Sequence, residues 1–243
     1  MTTRPHAAMI LAAGLATRMR PLTDTTAKPL LKLGGKTLLD HALDHLALEG
    51  IETAVVNAFW HADKVVEHVA ARSPPPKTIA IRETELLDTG GGVRNALPLL
   101  GPDPFFAING DAFWVNGPST ALSRMAKAFD DSVDVVLLVH RTCQVHAETG
   151  LGDFAVDQLG IPRRRKDREI VPYIFAGASL MRPSLLDNTP EGPFSLNVAW
   201  NRALATGRIR AIVHDGLWFH LSTPPDLAEA ELVLDAQSTA DGR

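Results

Sequence analysis

The chain lacks the features that mark several large classes of protein. Cys143 is the only cysteine in 243 residues, which excludes a disulfide-stapled secreted scaffold and a cysteine-rich zinc module. No stretch reaches the ~20 consecutive apolar residues that a membrane-spanning helix needs. The formal net charge is -4, so there is no basic excess to suggest a nucleic-acid partner. We therefore expect neither nucleic acid nor membrane as a partner.

The rest of the composition is that of an ordinary globular protein. With 45% hydrophobic and 21% charged residues, the chain can bury a sizeable core as one domain or a tight pair. The apolar run 7–13 after Arg4 loosely resembles a signal peptide, but it is short, and Arg18 and Arg20 follow at once. A buried strand is the better interpretation. We expect a cytoplasmic protein, either monomeric or a small homo-oligomer.

Apolar strands and amphipathic helices alternate along the first part of the chain. Strands are predicted at 7–14, 51–59, 77–83, 104–110 and 132–141, with helices at 37–50, 61–72, 91–101 and 118–131. This alternation predicts an α/β fold with a mostly parallel sheet and helices on both faces. Residues 144–235 are less regular, with strands at 173–183, 208–216 and 218–222 and helices at 196–207 and 224–237. We expect one compact domain over 1–235 and a mobile tail over 236–243.

Within the stretch 7–14, a buried strand over Ala8 to Leu11 runs into a loop of small residues, Leu11 to Gly14, which Thr17 and Arg18 follow. Ligands bind at the carboxyl ends of parallel strands, and small residues there let backbone N–H groups approach a phosphate. Arg18 can stabilise charge on phosphoryl oxygens. With a single glycine and no Gly-Lys-Ser/Thr, the loop is neither a dinucleotide fingerprint nor a P-loop. An ordinary strand-to-loop turn is the alternative.

Three more polar motifs follow later strands or loops. Lys28 precedes a proline that can fix its position, and its ammonium can neutralise phosphate charge. Residues 83–92 read ETELLDTGGG, in which Glu83 can hydrogen-bond a base edge and the glycines permit a close backbone approach. Asp111, in Asn109-Gly110-Asp111, ends an apolar strand, where a carboxylate can hold Mg²⁺ together with phosphate oxygens. Together the four motifs predict a nucleotide and metal site at one edge of a doubly wound sheet.

The same motifs carry a family resemblance. LAAGLATRMRPLT with KPL, then LDTGGG and NGD, resemble the sugar-nucleotide pyrophosphorylases, nucleotidyltransferases with a Rossmann-like, GT-A-like three-layer fold. The similarity is dense over residues 7–115 and thinner afterwards. TGGG, GLGDF at 150–154 and FAGASLMRPSLL favour the N-acetylmuramate-1-phosphate uridylyltransferases of peptidoglycan recycling. Mannose-1-phosphate guanylyltransferases are close relatives of these.

The resemblance implies transfer of a nucleotidyl group from a nucleoside triphosphate, with UTP expected, to a sugar 1-phosphate, with Mg²⁺ as the cofactor. It implies a nucleotide-binding half, about 7–140, and a sugar-phosphate-binding half, about 141–235. The catalytic residues would be Arg18, Lys28 and Asp111, the last as metal ligand. Nucleotide binding would fall to Leu11, Ala12, Ala13, Gly14, Thr17, Glu83, Asp88, Gly90 and Asn109. Sugar binding would fall to Gly152, Asp153, Gly177 and His220.

Three residues depart from the family pattern. Ala16 stands where a glycine is usual, and Glu83 replaces a glutamine, so an ionised side chain there can accept from uracil N3–H but cannot donate. His220, in WFHLSTP, replaces the aspartate that is usually the second metal ligand. Because Mg²⁺ prefers oxygen ligands, we expect either that Asp111 and substrate phosphates hold it largely alone or that His220 contacts substrate. A third alternative is a different preferred metal.

Two further alternatives concern function. The same chemistry can use GTP and mannose 1-phosphate, or the chain can be a catalytically weak regulatory subunit that binds sugar nucleotides. The basic run PRRRKDR at 162–168 is typical of a solvated surface, yet it can also attract an anionic substrate such as one with a lactyl carboxylate. Only 23 residues follow His220, from which we expect a catalytic domain without the C-terminal β-helix of many pyrophosphorylases.

Overall fold

The structure, a computed structural model, describes residues 4–145 and 150–241. Its thirteen strands in that part of the chain are β1 Ala7–Leu11, β2 Lys32–Leu33, β3 Lys36–Thr37, β4 Thr53–Ala58, β5 Lys77–Arg82, β6 Phe105–Asn109, β7 Phe113–Val115, β8 Val135–Arg141, β9 Phe154–Val156, β10 Pro162–Arg164, β11 Tyr173–Met181, β12 Ile209–Val213 and β13 Leu217–Phe219. The six α-helices are α1 Leu38–Leu48, α2 Ala62–Ala71, α3 Asp88–Leu100, α4 Ala121–Lys127, α5 Asn197–Ala205 and α6 Pro224–Asp241.

Nine of these strands form one mixed sheet. The order β5-β4-β1-β6 is parallel throughout, and β11 then pairs with β6 in the antiparallel sense. On its other side β11 pairs antiparallel with β8, to which β12 adds in parallel. β9 and β10 extend the sheet from Tyr173 at the start of β11. The predicted α/β fold with a mostly parallel sheet in a single domain is therefore confirmed.

Two apolar clusters sandwich the sheet because successive side chains of a strand point to opposite faces. In β1, Ala8 and Ile10 pack in the cluster that includes α1, α2 and α4, whereas Ala7 and Met9 pack in the cluster that includes α3 and α5. This alternation puts helices on both faces, as predicted. A third, smaller cluster joins Met19 and neighbours to α6.

Several boundaries differ from the predictions. α3 begins at Asp88, so the glycine run 90–92 lies inside the helix and not before it, and α6 continues to Asp241 instead of ending at 237. The short strands β2, β3, β7, β9 and β10 were not predicted, because two or three residues are too few to show a periodicity. No helix in the described ranges is long and apolar enough to span a bilayer.

Candidate functional site

A cleft of about 540 Å³ opens at the carboxyl ends of β1 and β6, where the parallel part of the sheet presents its loops. Three residues absent from the predictions help to line it: Asn57 near the end of β4, Thr89 in the first turn of α3, and Ser222. Ten residues predicted from the sequence also line it: Leu11, Ala12, Ala13, Gly14, Thr17, Arg18, Lys28, Asp88, Asn109 and Asp111. The four motifs thus meet around one cavity.

The loop after β1 offers unused backbone donors. The N–H groups of Ala13, Gly14 and Leu15 have no hydrogen-bond acceptor among residues 4–145 and 150–241. The next residue, Ala16, is in the left-handed region at φ 47° and ψ 43°, a conformation that costs an L-residue with a Cβ about 1–2 kcal/mol. Successive free N–H groups in such a turn make a concavity suited to an anion. The left-handed turn also explains why glycine is the easier residue at this position.

Charged side chains complete the cleft. The Lys28 Nζ donates to Asp111 Oδ2 at 2.6 Å, and the Lys28 side chain is largely buried. The exposed guanidinium of Arg18 makes no hydrogen bond or ion pair within the part of the chain that the structure describes. The cleft therefore contains one cation already neutralised and one available to a ligand. Both act beside the free N–H groups, which makes the cavity complementary to several phosphate groups.

A buried hydrogen-bond chain fixes the start of this loop. Asn57 Oδ1 accepts from the Ala12 N–H at 2.7 Å, and Asn57 Nδ2 donates to Glu83 Oε1 at 2.6 Å. The second carboxylate oxygen of Glu83 accepts from the Leu87 N–H at 3.2 Å. Glu83 is 8% exposed and is not among the cleft-lining residues. It supports Asn57 in this structure, and its role as reader of a base edge stays a prediction.

The glycine run of α3 allows a close approach to its backbone, but the atoms that approach it belong to the protein itself. The N–H groups of Gly90 and Gly91 both donate to the Phe194 carbonyl, at 2.7 and 3.1 Å. A Cβ on Gly90 would lie 2.3 Å from the Phe194 ring, and one on Gly91 would lie 2.5 Å from the Gly192 carbonyl. Gly90 therefore lies under the 192–194 loop and away from the cleft lining, while Asp88 and Thr89 reach the cavity.

The four predicted sugar-binding residues lie outside the cleft lining. Gly177, at φ 86° in β11, packs beside Asn109 and Ala112, next to the cleft. Asp153 accepts a hydrogen bond from the Phe175 N–H at 2.9 Å. Gly152, at φ 77°, packs so closely on the Val171 carbonyl that a Cβ would lie 2.3 Å from it.

His220 has its own partner. Its Nε2 lies 2.9 Å from the hydroxyl of Ser222, which does line the cleft. Burial lowers the pKa of His220, so its imidazole is neutral at pH 7. This places His220 one side chain away from the cavity.

Few protein ligands are available to a metal. Over the described ranges there is no group of three or more His, Cys, Asp or Glu side chains arranged to hold an ion. The carboxylate of Asp111 lies in the cleft and is 39% exposed. A single carboxylate fits Mg²⁺, which keeps several waters and binds through one or two carboxylates plus substrate phosphates.

Known proteins match this chain closely. Residues 7–160 match the Nucleotidyl transferase family. An N-acetylmuramate alpha-1-phosphate uridylyltransferase of Caulobacter vibrioides is 38% identical over 95% of this chain and 98% of its own. A mannose-1-phosphate guanyltransferase of Aspergillus oryzae is 28% identical over 90% of this chain and 61% of its own.

Solved structures agree on the fold. A UDP-glucose pyrophosphorylase complexed with UDP-glucose superimposes with a TM-score of 0.80 at 16% identity, covering 98% of this chain and all of its own. The family match spans every cleft-lining residue except Ser222, and the similarity to the Caulobacter protein continues through the second half. The chain therefore belongs to the nucleotidyl transferase family and is a sugar-1-phosphate nucleotidyltransferase.

Proposed function

We propose that this enzyme transfers a uridylyl group from UTP to N-acetylmuramic acid 1-phosphate, as a step of peptidoglycan recycling. The observation that carries the transfer chemistry is the convergence of Arg18, the Lys28–Asp111 pair and the free N–H groups of Ala13 and Gly14 on one cleft. The choice of base and sugar rests on the 38% identity to the Caulobacter protein, which extends over both halves.

The reaction joins the two substrates by one displacement. A phosphate oxygen of the sugar 1-phosphate attacks the α-phosphorus of UTP and forms a new P–O bond. The bond from the α-phosphorus to the bridging oxygen breaks, and pyrophosphate leaves with that electron pair. Chemistry of this kind depends mainly on positioning the two phosphates and on neutralising their charge.

Each cleft residue has a part in this scheme. The free N–H groups of Ala13, Gly14 and Leu15 bind triphosphate oxygens, since they are donors without acceptors. Arg18 stabilises the charge that develops on the transferring phosphoryl group. Lys28 exchanges its bond to Asp111 for the phosphates, because the same ammonium can donate to either anion.

Mg²⁺ is the cofactor that this donor set favours. Asp111 would hold it with oxygens of the substrates, and bound there it would neutralise phosphate charge. His220, bonded to Ser222, is not needed as a ligand in this arrangement.

A substrate matrix tests the proposal. Pyrophosphate release is measured with Mg²⁺ for UTP, GTP, CTP, ATP and dTTP against N-acetylmuramic acid, N-acetylglucosamine, glucose and mannose 1-phosphates. We expect the largest kcat/KM for UTP with N-acetylmuramic acid 1-phosphate.

The other outcomes are informative in different ways. Preference for GTP with mannose 1-phosphate would replace the proposed substrates but keep the chemistry. Tight nucleotide binding by calorimetry, with no turnover of any pair, would instead identify a regulatory subunit. The Arg18→Ala variant serves as the control, since turnover that survives this change unaltered would place the reaction elsewhere.

A further inference from the structure

The basic run 162–168 contains one arginine whose surroundings differ from those of its neighbours. The Arg164 guanidinium lies over the Phe154 ring, 4.7 Å from its centroid, and 5.9 Å from that of Trp200. Trp200 in turn packs on Phe175 of β11, with ring centroids 4.8 Å apart. We call Arg164 and these three aromatic residues the arginine platform. It is assembled from β9, β10, β11 and α5 in the second half of the chain.

Neutral amides hold the guanidinium in place. Arg164 Nε donates to Asn201 Oδ1 at 3.2 Å, and one terminal nitrogen, Nη2, donates to Asn197 Oδ1. The other terminal nitrogen, Nη1, has no acceptor among the residues described. The orientation is therefore fixed by stacking and by two amides, while part of the planar donor fork stays free for a ligand.

Within the described part of the chain, no carboxylate neutralises this charge at close range. Arg163, one position earlier, is exposed and forms a two-bond ion pair with Glu169. Arg164 is half-buried and forms no ion pair within 4 Å over residues 4–145 and 150–241. Burial lowers the pKa of Arg164, and Asp153 opposes this only as a more distant charge. A partly desolvated cation held without a counter-ion favours binding of an anion.

The arginine platform adjoins the catalytic cleft. The N–H of Leu196, the residue before Asn197, donates to the hydroxyl of Thr89 at 3.0 Å, and Thr89 lines the cleft. Gly177 of β11 lies against Asn109, which also lines the cleft, and Phe175 precedes it by two positions. The platform thus lies beyond the edge of the phosphate site, on the side of the second half.

We propose that Arg164 is a specificity-determining residue that binds a carboxylate on the sugar of the sugar 1-phosphate. This inference rests on the proposed function, since N-acetylmuramic acid is N-acetylglucosamine with a lactic acid ether on O3. The two sugars differ only by that carboxylate-bearing group. Arg164 selects the acidic sugar by a charge-assisted hydrogen bond to its carboxylate. The aromatic rings exclude water from that hydrogen bond.

The test compares the two sugars in the full-length enzyme. We expect Arg164→Met, which keeps a stem over Phe154 but removes the charge, to lower kcat/KM for N-acetylmuramic acid 1-phosphate at least 10-fold. The same variant should leave kcat/KM for N-acetylglucosamine 1-phosphate within 2-fold. The loss should lie mostly in KM, because the carboxylate is remote from the reacting phosphorus. Arg164→Lys should recover part of the preference.

Arg165→Ala is the matched control, since Arg165 is the next residue and, among the residues that the structure describes, its side chain donates only to the Lys166 carbonyl. An equal fall for both sugars in Arg164→Met would mean a structural role and overturn the inference. If Arg164→Met does not fold, the Arg164→Lys variant serves instead. An unchanged preference for the acidic sugar in that variant, or an equal fall in kcat/KM for both sugars, would overturn the inference as well.

Failure of the proposed function has a different signature. It would show in the wild-type enzyme, as a preference for an uncharged sugar 1-phosphate before any variant is made. That result would overturn the inference too. A wild-type preference for the acidic sugar that Arg164→Met retains in full would overturn the inference alone.

Discussion

The two halves of the molecule differ in whether their polar groups already have partners within the protein. In the first half, parallel strands end at a cleft whose backbone donors and Arg18 have no protein partners in the described structure. In the second half, short antiparallel strands carry side chains that are already engaged, as Arg164 is with Asn197 and Asn201. The first arrangement suits phosphates, which every nucleoside triphosphate has, and the second would, on the proposal above, bind a particular sugar.

This contrast has a physical basis. Backbone N–H groups at the end of a parallel sheet are fixed by the fold, so the same geometry serves any triphosphate. A sugar differs from its isomers in the position of a few polar groups, and only side chains placed for those groups can distinguish them. Substitutions in the first half should therefore change the rate for all substrates, and those on the arginine platform should change the ratio between substrates.

The largest expected effect tests whether the transfer chemistry belongs to the first half alone. Asp111→Asn should lower kcat/KM about 1000-fold, because it removes the carboxylate that would hold the metal in the proposed reaction and that accepts the Lys28 hydrogen bond. His220→Ala should lower it about 10-fold or less, since His220 contacts the cleft only through Ser222. Turnover is measured across a Mg²⁺ titration. Equal losses of metal dependence in the two variants would show that the second half also supplies a metal ligand.

Acidity should destabilise the protein through its first half, which buries two neutral histidines. Burial lowers the pKa of His45, stacked on Trp114, and of His140, beside His214, to about 4. Unfolding lets these side chains bind protons at their ordinary value of 6.5. Stability is therefore full above pH 6.5 and falls as the pH drops towards 4.

The free energy of unfolding should fall by up to about 3 kcal/mol for each histidine between pH 6.5 and 4. Urea unfolding between pH 7 and 4 measures it, with His45→Gln and His140→Gln each expected to flatten the pH dependence by its own share. A pH profile that neither variant changes would mean that other groups control acid stability.

The glycine run joins the halves, so a methyl group there should weaken the whole domain. Gly90→Ala should lower the free energy of unfolding by about 2 kcal/mol, because the new Cβ would overlap the Phe194 ring. Gly14→Ala is the control, since a Cβ on Gly14 meets no atom within 4 Å. Equal stability of the two variants in urea would mean that the contact between α3 and the 192–194 loop is not tight in solution.

The smallest expected effect concerns the loop after β1. Ala16→Gly should raise the free energy of unfolding by about 1 kcal/mol, because glycine adopts a φ of 47° without the strain of a Cβ. Ala13→Gly, in the same loop but without a positive φ, should lower it slightly. Thermal unfolding of the two variants gives the comparison. Destabilisation by Ala16→Gly would show that this turn is not left-handed in solution.

Sequence patterns predicted much of the first half and less of the second. The apolar run of β1 and the positions of Arg18, Lys28 and Asp111 after strands or loops were enough to predict a shared cleft, which the structure contains. The link between Asn57 and Glu83 was not predictable, because the two residues are 26 positions apart and are paired only by the sheet. The same applies to the arginine platform, whose members come from four separate elements.

The glycines of 90–92 show a further limit of the sequence. The pattern predicted a close approach of the backbone, and the structure has one, but Gly90 and Gly91 approach the 192–194 loop and Gly92 approaches the side chains of Asn57 and Glu83. A glycine indicates that a side chain would not fit and leaves the identity of the neighbour open. That information comes only from the tertiary structure.

The ion pair between Lys28 and Asp111 would couple the binding of a divalent cation to the binding of a triphosphate. A divalent cation that comes alone meets a carboxylate already satisfied by an ammonium 2.6 Å away, and it must displace a like charge. If a cation came with a triphosphate, the triphosphate would give the ammonium new partners while the cation took the carboxylate. In the proposed reaction each ligand would thereby raise the affinity for the other, and thermodynamic reciprocity would make the two enhancements equal.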